Sequence, residues 1–133
     1  SNFTPSQIKL LQSTVPMGVH QLEISVKDVS AFDDGRLDQC TLDGIVPMAW
    51  SPLGGGNLPE GVASVLGSLA SEFGVTPQAI ALAWLLQHPA GILPVIGTTK
   101  AENLEAAQTA LNIKLDRQQW YTIYQAATGI RLP

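Results

Sequence analysis

The sequence predicts a parallel α/β fold, in which short buried strands alternate with amphipathic helices. Residues 45–50 and 91–96 form short, continuous apolar runs, as strands of a parallel sheet do. Helical patterns separate these runs, and parallel neighbours need such crossovers. An open doubly wound sheet and a (β/α)8 barrel both fit this order. A small self-contained α/β domain is a third reading, because a barrel of roughly 250 residues needs about twice this length.

A helix and a strand come first. Thr4 can cap a helix that starts at Pro5 and ends before Pro16. Residues 19–26 then alternate with the period of a strand. This alternation places Gln21 on one face, and a buried amide there must find hydrogen-bond partners.

A second helix and a second strand follow a polar stretch over residues 27–35. The helix is expected over residues 36–42 and is closed by Gly44. The strand over residues 45–50 reads as fully buried and ends in a loop, residues 51–56, that is too rich in glycine to form a regular element.

Two consecutive helices come next. Residues 62–73 follow helical apolar spacing, and Gly74 ends that helix. Thr76 repeats the Thr-Pro start and leads into an apolar helix over residues 80–87, which must be buried on most sides.

The chain closes with a strand and two helices. The strand over residues 91–96 leads through a turn into a helix over residues 101–111. Asp116 and Gln119 form a capping box for the last helix, which Gly129 ends.

Composition excludes several classes of protein. The 133 residues are 45% apolar, which argues against disorder, and a net charge of −4 leaves no basic face for nucleic acid. No apolar run reaches the ~18–20 residues that a membrane span needs. The single Cys40 reads as a small buried hydrophobe rather than a catalytic thiol, and it favours a reducing, cytoplasmic location.

Two loops that follow strands are candidate anion sites. Ligands of parallel α/β folds bind at the carboxyl ends of the strands. The loops at residues 51–56 and 97–100 combine glycines, hydroxyls and a following helix N-terminus. Neither loop is a Walker loop or a GxGxxG fingerprint, and each alone is more often a simple turn, but together they could hold two phosphates of one ligand.

The titratable residues suggest no catalytic set. His20 and His88 stand isolated in the sequence, and both tyrosines lie in the C-terminal helix. No nucleophile–histidine–acid set, metal-ligand cluster or facing carboxylate pair can be assembled, so no catalytic and no metal residue is assigned. Trp50, at the end of its strand, is either a core residue or a stacking platform.

Four segments, in order and at the expected spacing, resemble the second half of an aldo/keto reductase of the bacterial putative-oxidoreductase type. They are residues 1–5 (SNFTP), 20–23 (HQLE), 47–56 (PMAWSPLGGG) and 94–100 (PVIGTTK). The resemblance covers essentially the whole chain. It implies a (β/α)8 TIM barrel that binds NADP(H) and reduces aldehydes or ketones to alcohols. Residues 1–133 would be one partial domain, the C-terminal half barrel from the end of the fifth strand onward.

The resemblance also implies roles for individual residues at the nicotinamide end of the cofactor. Ser1 and Asn2 would hydrogen-bond the nicotinamide carboxamide with Gln21 as their partner, and Trp50 would stack on the nicotinamide ring.

The phosphate and adenine ends have their own implied residues. Ser51 and Leu53 would line the pyrophosphate. Gly97, Thr98 and Thr99 would receive the adenosine 2′-phosphate with Lys100 nearby, and Asn103 would lie by the adenine.

The chain departs from the family pattern at three places. Asn103 stands where many relatives carry Arg, which leaves the preference for NADPH over NADH open, and His20 stands where Asn is common. The family's catalytic Asp, Tyr, Lys and His belong to the first four βα units and cannot be placed on this chain. A truncated chain, inactive alone, is therefore expected.

A half barrel exposes sheet edges, so we expect pairing with the missing N-terminal half or with a second copy of the chain. The alternative is a non-catalytic nucleotide-binding or interaction module that reuses a half barrel.

Overall fold

The structure, a computed structural model, describes residues 1–131. In that part of the chain, six α-helices and three β-strands alternate. The helices are α1 (Pro5–Gln12), α2 (Arg36–Asp43), α3 (Glu60–Phe73), α4 (Pro77–Leu86), α5 (Ala101–Thr109) and α6 (Arg117–Thr128). The strands are β1 (Val19–Glu23), β2 (Val46–Trp50) and β3 (Leu93–Pro94). Short 3-10 turns lie at Ser30–Phe32, Gly54–Gly56 and Ala110–Asn112.

The three strands form one parallel sheet in the order β1-β2-β3. Gln21 pairs with Met48, and Met48 pairs with Leu93. All three carboxyl ends therefore lie along one edge of the sheet. The prediction of parallel strands joined by helical crossovers is confirmed.

The two faces of the sheet differ sharply. His20, Leu22 and Ala49 point toward the helices and are at most 3% exposed. On the opposite face Val19 and Leu93 are 47% and 49% exposed. We call this second face, formed by Val19, Gln21, Glu23, Val46, Met48, Trp50 and Leu93, the open face. The prediction of a fully buried strand over residues 45–50 is wrong, because nothing in residues 1–131 covers that side of β2.

Helix α4 lies at the centre of the core. Its residues from Ala79 to Leu85 are all buried, as the apolar pattern predicts. Trp84 packs on Trp120 of α6 with ring centroids 5.1 Å apart, and each indole N–H donates to the other residue's backbone carbonyl, at 3.1 and 3.0 Å. Phe32 and His88 pack beside this pair in a tilted arrangement, with ring centroids 4.5 Å apart.

The predicted helix starts are confirmed. The Thr4 hydroxyl accepts from the Gln7 amide while the Gln7 side chain accepts from the Thr4 amide, a complete capping box. Asp116 and Gln119 form the same arrangement. The Thr76 hydroxyl accepts from Ala79. These starts are predictable because each depends only on residues within one turn.

Several predicted lengths are wrong. The strand predicted over residues 19–26 ends at Glu23, because the Ser25 hydroxyl accepts from the amides of Lys27 and Asp28 and closes a turn. The run at residues 91–96 contributes only Leu93–Pro94 to the sheet. Helix α1 ends at Gln12, before the predicted stop, and α5 ends at Thr109, where a 3-10 turn replaces its predicted last residues.

No single helix in residues 1–131 is both long and apolar enough to cross a membrane. Helices α3 and α4 reach that length and composition only as a pair, and they are bent by 95° at their junction.

Candidate functional site

The candidate site lies along the carboxyl ends of the strands. The segment before α1 runs beside β1 there, and the loops after β2 and β3 begin there. In residues 1–131, positive φ angles outside glycine occur at Asn2 (φ 56°) and Ser51 (φ 51°), and both lie at this edge. Such conformations are costly for residues with a side chain and cluster at functional sites.

Asn2 is held by three hydrogen bonds. Its amide donates to the Gln21 carbonyl at 2.8 Å, and its side-chain Oδ1 accepts from the Glu23 amide at 2.8 Å and from the Trp50 indole at 3.2 Å. The side-chain oxygen thus acts as an extra acceptor at the end of β1. Because Oδ1 is occupied, the amide nitrogen Nδ2 is the part of the side chain left for a ligand.

Trp50 ends β2 on the open face and is partly exposed. Since its Nε1–H donates to Asn2, the orientation of the indole is fixed at its polar edge. Trp50 is not part of the hydrophobic core, so its interpretation as a core residue is wrong, and its role as a stacking platform stays a prediction.

Ser1 and Gln21 are both exposed. Gln21 contacts Asn2 through its backbone carbonyl, and its side chain projects from the open face rather than into a packed interior. The bond between Asn2 and Gln21 is thus made by the backbone of Gln21, and the contacts of Ser1, Asn2 and Gln21 with a carboxamide stay a prediction.

The loop after β2 folds tightly. Ser51 accepts from the Gly54 amide at 2.8 Å, and Gly54 has φ +61°. A Cβ at Gly54 would lie 3.0 Å from Lys27 Cβ and 3.1 Å from a methyl of Leu58. Leu53 is partly exposed beside this turn. The loop thus brings backbone amides to the site in a shape that requires glycine.

The loop after β3 is organised around Thr98. The Thr98 hydroxyl oxygen accepts from the Lys100 amide at 3.2 Å and from the Asn103 side-chain amide at 2.9 Å. With its lone pairs used, the hydroxyl hydrogen is free to donate outward. Lys100 is the N-cap of α5 and supplies no side-chain acceptor, so the Ala101 and Glu102 amides of the first turn remain available to an anion, whereas the Asn103 amide donates to the Lys100 carbonyl at 3.2 Å.

Gly97, Thr99, Lys100 and Asn103 are all exposed around Thr98. Hydrogen bonds therefore connect Thr98 with Lys100 and Asn103, whereas the contact of this loop with a phosphate stays a prediction.

The structure also shows contacts of His20 that the sequence did not predict. His20 is 3% exposed, its Nε2 accepts from the Phe3 amide at 3.1 Å, and its Nδ1 lies 3.9 Å from Cys40 Sγ. Burial lowers the pKa of His20 and raises the pKa of the Cys40 thiol, so both are neutral at pH 7. The reading of His20 as isolated is wrong. The signal available in the sequence was a histidine at a core-facing position of a strand.

Both tyrosines lie on α6. Tyr124 on α6 donates to Asp33, at 3.2 Å to Oδ2, and burial raises the pKa of its hydroxyl, with Asp33 adding to the effect. Asp33 is therefore tied to α6 rather than fully solvated. Residues 1–131 contain no group of three or more His, Cys, Asp or Glu side chains that could hold a metal ion.

Comparisons with known proteins agree on one family. The sequence profile of the Aldo/keto reductase family matches residues 1–128. The chain is 41% identical over its whole length to a 6-dehydroglucose reductase of Novosphingobium aromaticivorans, of which it covers 47%. It is 40% identical over its whole length to the Escherichia coli oxidoreductase YdhF, again covering 47%.

Solved structures give the same result. A thermostable aldo-keto reductase in complex with the inhibitor epalrestat superposes with a TM-score of 0.88 at 27% identity, over 94% of this chain and 46% of that one. An aldo/keto reductase from Klebsiella pneumoniae, in complex with NADP and acetate, gives 0.83 at 22% identity, over 93% and 45%. The fold of these proteins is the (β/α)8 barrel.

The chain spans about half the length of the curated relatives that it matches. Its parallel strands and helical crossovers correspond to part of their barrel. With the family profile matching residues 1–128 and a relative 41% identical over the whole chain, the protein belongs to the aldo/keto reductase family of oxidoreductases.

Proposed function

We propose that this chain forms the cofactor-binding half of an NADP(H)-dependent aldo/keto reductase, which reduces aldehydes or ketones to alcohols. One observation carries the proposal: Asn2, Trp50 and the loop at Thr98 converge on the carboxyl ends of three parallel strands, in a member of this family. The Klebsiella pneumoniae relative was crystallised with NADP, which supports the choice of cofactor.

The nicotinamide end of the cofactor would lie between Asn2 and Trp50. Asn2 Nδ2 is a donor suited to the oxygen of a carboxamide, and the Trp50 ring is suited to stacking on a flat heterocycle. The Asn2–Trp50 bond fixes both groups relative to each other, so little ordering is needed on binding. Ser1 and Gln21 lie on the same side and could add contacts to the carboxamide.

The phosphate groups would lie against the two loops. Backbone amides near Ser51 and Leu53 suit the pyrophosphate, since the neighbouring Gly55 and Gly56 have open space where a Cβ would lie. The Thr98 hydroxyl, the Lys100 ammonium and the first-turn amides of α5 suit the 2′-phosphate. Asn103 is neutral, so the preference for NADPH would depend on Thr98 and Lys100.

The bound cofactor would supply the hydride, and this chain would orient it. Reduction of a carbonyl also needs a proton donor. The chain has two tyrosines, and both lie in α6, with Tyr124 hydrogen-bonded to Asp33. We therefore assign the proton donor to the part of the barrel that this chain does not contain. That part, or a second copy of the chain, would cover the open face. A cytoplasmic location is also part of the proposal, since Cys40 is a buried thiol.

The test is a fluorescence titration of the 133-residue chain with NADPH and with NADH. We expect both to bind and NADPH to bind more tightly. Thr98→Ala removes a donor to the 2′-phosphate and should weaken NADPH about tenfold, with a change of less than about twofold for NADH. Thr109→Ala, at the opposite end of α5, is the matched control and should change neither.

Failure to bind either nucleotide would reject the cofactor assignment and favour the alternative of a structural module. Equal weakening of both nucleotides by T98A would show that Thr98 does not read the 2′-phosphate. Carbonyl reduction by the pure chain would contradict the assignment of the proton donor to another part of the barrel.

A further inference from the structure

His20 is a buried polar side chain whose two ring nitrogens both have partners. Nε2 accepts from the Phe3 amide, and Nδ1 lies 3.9 Å from Cys40 Sγ. A nitrogen that accepts from an amide carries no proton, so the neutral imidazole holds its proton on Nδ1, directed at the sulfur. This arrangement is the reverse of a thiolate–imidazolium pair. His20 is therefore not poised to activate Cys40.

The bond to Phe3 acts on Asn2. The Phe3 amide belongs to the peptide unit that follows Asn2, so its direction fixes the ψ angle of Asn2. Asn2 has φ 56°, a conformation that needs support from its surroundings. One support is its own amide, which donates to the Gln21 carbonyl at 2.8 Å, and the other is the Phe3 amide on His20.

A continuous series of hydrogen bonds thus runs from the core to the ring. His20 holds the Phe3 amide, the peptide before Phe3 sets Asn2, and Asn2 Oδ1 accepts from the Trp50 indole at 3.2 Å. His20 faces the helices and Trp50 lies on the open face, so His20 cannot touch a cofactor stacked on Trp50.

We propose that His20 is a positioning residue, which sets the orientation of the Trp50 indole toward the nicotinamide by fixing the Asn2–Phe3 peptide. The assignment of the ring to the nicotinamide rests on the proposed function, whereas the coupling of His20 to Trp50 does not. Protonation of Nε2 would place a donor against the Phe3 amide donor and release that peptide. The position of Trp50 is therefore sensitive to pH.

The charges around His20 define the pH range. Burial lowers its pKa from 6.5, and the positive charge of Arg36 on α2 acts in the same direction. Cys40, also on α2, is neutral at pH 7, and the neighbour across the sheet is Pro47. His20 is thus neutral at pH 7 and gains a proton only as the pH falls below 6.5, so the coupling is intact at neutral pH and lost in acid.

The first experiment needs no cofactor. The indole N–H resonance of Trp50, assigned with Trp50→Phe, is followed by NMR in the full chain between pH 7.5 and 5. The series is extended in acid to the lowest pH at which the chain stays folded, and we expect this resonance to move as His20 titrates. His20→Gln offers an amide oxygen near the position of Nε2 that does not titrate, so the resonance should stay in place. His88→Gln changes the other histidine and should leave the pH dependence intact.

A Trp50 resonance that ignores pH in the unmodified chain would overturn the proposal. So would a pH dependence that persists in H20Q or disappears in H88Q.

The second experiment measures NADP⁺ affinity by quenching of tryptophan fluorescence. His20→Leu should weaken binding about tenfold at pH 7.5, and H20Q should restore it to within about twofold. The 2′-phosphate of NADP⁺ titrates at about pH 6 and affects every variant alike. The quantity to compare is therefore the additional loss of affinity in acid, which we expect in the unmodified chain and not in H20Q.

The two experiments separate the possible failures. If NADP⁺ does not bind but the Trp50 resonance responds as expected, the cofactor assignment fails and the coupling stands. If NADP⁺ binds with the same pH profile in H20Q and in the unmodified chain, His20 has no positioning role and the proposed function stands.

Discussion

At the scale of single residues, Asn2 combines a backbone role with a side-chain role. Asparagine adopts positive φ more readily than most residues, and its short side chain places Oδ1 where a strand carbonyl would be. The same oxygen holds Trp50. The two roles can be separated by substitution.

Asn2→Gly keeps the backbone conformation and removes the whole side-chain amide, so the Trp50 indole loses its acceptor Oδ1 and the carboxamide loses its proposed donor Nδ2. We expect NADPH to bind about tenfold more weakly, which corresponds to about 1.4 kcal/mol. Asn112→Gly, at an exposed asparagine beyond α5, is the control and should bind normally. Unchanged affinity in N2G, measured by the same fluorescence titration, would mean that Trp50 needs no anchor.

The sequence predicted these residues better than their contacts. Motif resemblance selected Asn2, Gln21 and Trp50, and the structure places all three at one edge of the sheet. The motif resemblance did not predict that the Gln21 backbone carbonyl would accept from the Asn2 amide, or that His20 Nε2 would accept from the Phe3 amide. Such contacts depend on which atoms meet between segments 17 or more residues apart, and no local pattern encodes that.

At the scale of elements, helices α4 and α6 are joined by a reciprocal bond. Each indole, of Trp84 and of Trp120, donates to the other residue's backbone carbonyl. Trp84 is fully buried, so its loss cannot be compensated by water.

Trp84→Phe keeps most of the packed ring and leaves the Trp120 carbonyl without its donor. The free energy of unfolding should fall by about 1–3 kcal/mol, as measured by urea denaturation. Tyr121→Phe, at a residue 40% exposed on α6, should change it by less than about 0.5 kcal/mol. Equal effects of the two substitutions would show that the reciprocal bond adds no stability.

Helices and strands were not equally predictable. The caps at Thr4, Thr76 and Asp116 follow from chemistry within one turn and are found as predicted. The length of a strand depends on its hydrogen-bond partners in the neighbouring strand and on the turns that end it. Strand β1 therefore ends before the Ser25 turn, and β3 is only two residues long although its apolar run is longer. The apolar sequence of β2 predicted burial on both faces. In residues 1–131 only the face toward the helices is buried, and the apolar side chains of the open face remain exposed.

At the scale of the whole molecule, the open face of the sheet exposes apolar side chains to solvent. Val19, Val46 and Leu93 are each at least 38% exposed on it. We propose that another part of the barrel or a second copy of the chain covers this face.

Val46→Lys combined with Leu93→Glu places charges on the open face. We expect the unmodified chain to self-associate in sedimentation experiments and to bind a hydrophobic dye, and the double variant to do both much less. Leu42→Glu, at a leucine 82% exposed on α2, is the control and should behave as the unmodified chain. A monomer that binds no dye would contradict this expectation.

The two outer edges of the sheet bear on how such an assembly forms. Beside β1, the Asn2 amide and side-chain oxygen already occupy the Gln21 carbonyl and the Glu23 amide, so a new strand finds these groups taken. In β3, Val95 donates inward to Ala49, so Pro94, one residue earlier, faces outward at a position where proline has no N–H to offer. Both edges are poor templates for the strand addition that leads to fibres. Copies of this chain that meet should therefore stack through their side chains and separate again on dilution.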